Sequence, residues 1–77
     1  MKQDLINLKQ RIDKNYKRLQ RRCLLTKPIL GMINQLLDNN ETDQEISKWL
    51  VEYSNTLNTI KEHLKIIEQK YSHAKQN

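Results

Sequence analysis

Phenylalanine is absent from these 77 residues, and glycine, proline and cysteine occur once each. A single glycine, Gly31, cannot build the loop that cradles a phosphate. A single cysteine, Cys23, excludes an internal disulfide framework and fits a reducing compartment. No run approaches the ~20 apolar residues of a membrane span. The opening MKQDLINLKQ also lacks the apolar core of a secretory signal, so the expected location is cytoplasmic. His63 and His73 lie ten residues apart and form no metal-ligand pair, and Glu62 points elsewhere around the helix from His63. No catalytic residue, metal ligand or cofactor site is read from the sequence, and the protein is expected not to be an enzyme.

What is present is a helical alphabet. Leu, Ile, Lys, Gln, Asn and Glu dominate, with 36% hydrophobic and 30% charged residues. The segment LDNNETDQE, residues 37–45, ends one apolar pattern and opens another, with Thr42 and Glu45 spaced as a capping box. From about Asp43, a heptad seam runs through Ile46, Leu50, Tyr53, Leu57, Ile60, Leu64, Ile67, Tyr71 and Ala74. The first arm carries its own seam through Leu5, Leu8, Ile12, Tyr16, Leu19 and Cys23, then Thr26, Leu30, Ile33 and Leu37.

The steps stay at three or four across Pro28, which reads as a kink in one helix rather than a loop that resets the phase. The alternative is a true break, with Thr26 capping a second helix and Pro28 in its first turn. The expected fold is all-α: a single domain over residues 1–77, with a helix over about 3–37 kinked at 26–28, a loop at 38–42 and a helix over about 43–75. Two equal arms joined by a short polar loop make a long antiparallel, coiled-coil-like hairpin. In that hairpin Ile33 and Leu37 meet Ile46 and Leu50, while Leu5 and Leu8 meet Ile67 and Tyr71. Two helices hide little apolar surface, so a homodimer of four helices is expected.

The net charge is +5. From Lys9 to Lys27 there are eight Lys or Arg and one acid, Asp13. Advancing 100° per residue from Ile12 places Arg11, Lys14, Lys17, Arg18, Arg21 and Arg22 between about 140° and 280°, opposite the seam. The sector from about 200° to 260° then holds Leu25, Ile29, Met32 and Leu36, a second apolar stripe on the same side. These ten residues are the candidate partner-binding face, basic in its first half and apolar in its second. They predict a protein partner with an acidic and apolar surface, bound by an adaptor, small chaperone or regulator. The alternative is a nucleic-acid-binding accessory protein that uses the basic ridge alone. The stripe can also be covered from within, by a second hairpin or by the first arm folding back if Pro28 is a break.

The opening LINLKQRID is similar to the first helix of the helical chorismate mutases, which reads Leu-x-x-Leu-Arg-x-x-Ile-Asp. Leu5, Leu8, Ile12 and Asp13 match, and Lys9 stands where that family has arginine. The likeness covers nine residues. The chain has no later arginine spaced as the family's second substrate-binding arginine, so the family's active site is missing.

Overall fold

The structure is a computed structural model that describes the backbone of residues 1–76 and the side chains of residues 1–71. The expectations for His73 and Ala74 lie outside the described side chains. The described chain is all-helical: α1 (Lys2–Lys14), α2 (Tyr16–Arg22), α3 (Thr26–Asp38), α4 (Asp43–Glu52) and α5 (Ser54–Gln76).

Two of the four junctions are bends rather than breaks. At Asn15 (φ −114°, ψ 18°) the ladder is kept, because the Asn15 N–H donates to both the Arg11 and Ile12 carbonyls and Leu19 N–H donates to the Asn15 carbonyl. The buried Asn15 side chain adds a bond from Nδ2 to the Arg11 carbonyl at 3.0 Å. Tyr53 (φ −104°, ψ 20°) joins α4 to α5 in the same way, and its ring lies 5.3 Å from that of Trp49. The chain is therefore three arms: α1–α2, α3, and α4–α5. The third arm would be about 51 Å long if straight. The molecule's longest dimension is 43 Å.

The expected first arm over residues 3–37 is not one helix. Cys23 is extended (φ −141°, ψ 109°), and the next bond, from Thr26 N–H to the Cys23 carbonyl, spans only three residues. α3 then folds back onto α1. Lys2 Nζ donates to Asn40 Oδ1, which brings the start of the first arm beside the end of the second. Between the outer arms, Arg11 pairs with Glu68, and Arg18 covers Tyr71 further along both chains. Arms one and three therefore run parallel, with α3 antiparallel to each, in an up-down-up arrangement. The two-arm hairpin gives way to this, and with it the meeting of Leu8 with Tyr71.

The energetic reason is the second apolar stripe. Breaking the helix forfeits two or three backbone bonds, each worth about 1 kcal/mol net. Pro28 reduces even that loss, because its missing N–H falls in the first turn of α3, where donors have no helical partner. In return Ile29 enters the core at 3% exposure, and Met32 and Leu36 are half-buried against it. Burial is worth about 1.5–3 kcal/mol for a fully covered side chain of this size. The packing outweighs the lost bonds.

The core holds Leu5, Leu8, Ile12, Leu19 and Cys23 from the first arm, Ile29 and Ile33 from α3, and Ile46, Leu57, Ile60, Leu64 and Ile67 from the third. The helix ends are closed by local chemistry. After α3, Asn40 takes a left-handed φ of 53°, the Glu41 N–H reaches the Leu36 carbonyl and the Asn40 N–H reaches that of Leu37. Those two bonds define the Schellman closure, with asparagine in the place glycine usually takes. At the start of α4, Thr42 Oγ1 accepts from the Glu45 N–H at 3.3 Å.

Thr26 does not cap α3. Leu25 is the capping residue, and Thr26 is fully buried with its Oγ1 unpartnered. An orphaned buried hydroxyl costs about 1–3 kcal/mol, whereas an apolar group of the same shape does not. Thr26→Val should therefore stabilise the fold by about 1 kcal/mol. Urea unfolding of the two proteins, with equal slopes, checks this; a destabilised variant would mean the hydroxyl has a partner.

Candidate functional site

The first arm packs with Leu5, Leu8, Ile12 and Leu19 inward, so an α-helical period turns the residues between them outward. Lys14, Lys17, Arg18, Arg21 and Arg22 are exposed along this face. The one acid between Lys9 and Lys27, Asp13, is occupied by Lys9 at 2.9 Å, one turn earlier. Among the described residues, no carboxylate lies within ion-pair distance of Lys14, Lys17, Arg18, Arg21 or Arg22. At the Asn15 bend lies a shallow surface groove of about 510 Å³, lined by Asp13, Lys14, Tyr16, Lys17, Arg18 and Arg21.

Arg11 leaves the ridge. Its Nε donates to Glu68 Oε2 at 3.0 Å and its Nη2 to Oε1 at 2.7 Å, a two-pronged pair that clamps α1 to α5. The Arg11 hydrogen bond is the main cause that holds the Glu68 carboxyl below its ordinary range, with the charges of Arg11 and Lys14 adding to it and burial opposing. A depressed carboxyl contributes stability that is complete above the unfolded pKa of about 4.3 and is lost as pH falls through the folded value. The side chains are 40% and 39% exposed, so water screens the pair. Glu68→Gln should thus cost about 0.5–1 kcal/mol at pH 7 and almost nothing at pH 3, read from urea midpoints at the two pH values. A cost independent of pH would assign the loss to shape rather than charge.

Arg18 sits over Tyr71, its guanidinium carbon 3.7 Å from the ring centre. Such a contact orients the guanidinium and leaves its outer edge free to bond a carboxylate or phosphate.

The second half of the expected face is rearranged. Ile29 is in the core, Met32 and Leu36 pack against it, and only Leu25 remains outside, half exposed. The stripe is covered by the chain's own arms, because α3 folds back onto the first arm and shares one core with the third. The structure adds Leu24 instead. It is 87% exposed, in the turn between α2 and α3, beside Leu25 at 50%. On the helical construction Leu24 falls at about 120° from Ile12, on neither the seam nor the stripe, and an apolar residue with no stripe to join was the available signal.

Among the described residues, no three His, Cys, Asp or Glu side chains converge as metal ligands would. No described helix is long and apolar enough to cross a membrane. Set against known proteins, the chain matches no family model, no curated protein and no solved structure.

Proposed function

We propose that this protein is a small non-enzymatic binding module, acting as an adaptor, small chaperone or regulator, which holds an acidic partner protein against the outer face of α2. One observation carries the reading: Lys14, Lys17, Arg18, Arg21 and Arg22 stand exposed on one helix face with no described carboxylate to pair them. The pairs Lys14–Arg18, Lys17–Arg21 and Arg18–Arg22 sit one turn apart and repel by a few tenths of a kcal/mol each. Folding gains nothing from that repulsion. An acidic surface relieves it and speeds encounter by steering.

Nucleic acid is the second reading, favoured by the groove at Lys14, Lys17, Arg18 and Arg21, which offers cations in series to successive phosphates. It ranks lower because the face ends in Leu24 and Leu25, for which a phosphate backbone has no use. The chain's own arms cover the stripe on α3 that a second hairpin was expected to cover, which weakens the case for pairing of two chains.

The test is a titration of labelled polyglutamate and of a random duplex of matched length, at low and physiological salt. The partner-protein reading expects measurable binding of polyglutamate, with the duplex bound no more tightly at physiological salt. Duplex binding that is tighter there, with the steep salt dependence of counterion release, would favour the second reading.

A further inference from the structure

We infer that the corner between α2 and α3 is the apolar anchor of this face, and that its ligand is an amphipathic acidic helix with a carboxylate face and apolar residues at one end. The inference rests on the reading of the ridge as a partner-binding face and names the chemistry of what binds there. Leu24 and Leu25 are the two most accessible leucines of the chain, and they are adjacent. Arg21 and Arg22 precede them, and Lys27, also exposed, follows them. No described acid belongs to this corner between Asp13 and Asp38.

The geometry is that of a track with a stop. From Lys14 to Arg22 the exposed cations cover about 12 Å of helix, and the groove at the Asn15 bend lies along the same stretch. A ligand helix of about three turns spans this length and reaches the leucines beyond it. Carboxylates one turn apart on such a ligand face Lys14, Lys17 and Arg21, while its apolar end covers Leu24 and Leu25. Arg18, seated over Tyr71, offers its guanidinium fork to one carboxylate. Charge sets the direction of the ligand and the leucines set its register.

A lipid surface is the competing occupant of a basic, leucine-tipped corner. Two leucine side chains carry about eight carbons, against about fourteen in a myristoyl chain, which alone binds membranes only marginally. The corner is too small an anchor for a bilayer, but it is large enough to fix the register of a helix already held by charge.

The test uses the full chain and two helical peptides of equal length and charge, one built from Glu and Ala, the other with Leu residues placed at one end. Binding is read by fluorescence anisotropy for the wild type, Leu24→Ser, and the double variant Leu24→Ser/Leu25→Ser, after circular dichroism has verified folding. The Leu-bearing peptide is expected to bind the wild type at least about tenfold more tightly than the Glu–Ala peptide. That advantage should shrink in the single variant and vanish in the double one, with Glu–Ala binding unchanged. Equal binding of the two peptides by the wild type overturns the anchor while leaving the ridge as a binding face. Absence of binding by either peptide overturns the ridge reading itself. Leucine-dependent binding to phosphatidylserine vesicles, exceeding that to the Leu-bearing peptide, overturns the choice of a helix over a lipid surface.

Discussion

Ile29→Asp should unfold the protein. Ile29 is 3% exposed on α3, inside the core that the three arms share, so a carboxylate there is buried without a designed partner. Burying an unpaired charge costs several kcal/mol even when the group escapes by taking up a proton. A chain of this length commands a total stability of about 4–12 kcal/mol. The substitution therefore consumes most or all of it. Leu25→Asp, at a half-exposed position, is the control and should keep wild-type helicity. Circular dichroism and urea unfolding of the two variants check the pair. A folded Ile29→Asp protein of wild-type stability would mean that this face of α3 is open to water, as in a two-arm hairpin, and would remove the three-arm packing.

The pattern of inside and outside was legible in the sequence, and the path of the chain was not. Of the seam residues, Leu5, Leu8, Ile12, Leu19, Cys23, Thr26, Ile33, Ile46, Leu57, Ile60, Leu64 and Ile67 are buried, because the 3.6-residue period belongs to each helix whatever its neighbours, while Tyr16, Leu30, Leu37, Leu50 and Tyr53 are half-buried and Tyr71 is exposed. The same period runs in step across Cys23 and Thr26, and that continuity suggests one helix. It is equally compatible with a tight turn between two, since both residues are buried under either path. The deciding feature was the width of the apolar arc on α3. Ile29, Leu30, Met32, Ile33, Leu36 and Leu37 together cover far more than one face. A helix apolar over so wide an arc lies between two neighbours rather than against one. That signal is visible in the sequence as a second stripe, which either an outside partner or the chain's own arms could cover.

The bends had no comparable signal. Neither glycine nor proline stands at Asn15 or Tyr53, and the ladder survives at both positions. In the sequence Asn15 is one polar residue among several beside the ridge, whereas the structure buries it and uses its side chain to bond a carbonyl one turn back. Within the candidate face, the exposed ridge followed from charge periodicity alone. The removal of Arg11 from it did not, because its partner Glu68 lies 57 residues away and is brought close only by the parallel run of the outer arms.

Reversing two charges of the ridge should weaken binding of an acidic ligand strongly while leaving the fold intact. Lys17→Glu with Arg22→Glu changes the net charge from +5 to +1, since each substitution removes two units and the two together remove four. Both side chains are exposed, so no desolvation is involved. Locally the changes replace the Lys17–Arg21 and Arg18–Arg22 repulsions by attractions of a few tenths of a kcal/mol, and stability should stay within about 0.5 kcal/mol of wild type. Polyglutamate affinity at low salt should fall by roughly tenfold or more, with most of the loss in the association rate, because exposed charges steer encounter more than they hold a complex. The difference between variant and wild type should narrow as salt is raised, since screening already removes at high salt what the substitutions remove at low salt. Stopped-flow association at two salt concentrations, beside urea unfolding, measures both quantities. Unchanged association at low salt would mean that the ridge is only a solvated face. A much larger loss for a random duplex than for polyglutamate would instead mean that phosphates are its natural ligand, as the nucleic-acid reading requires.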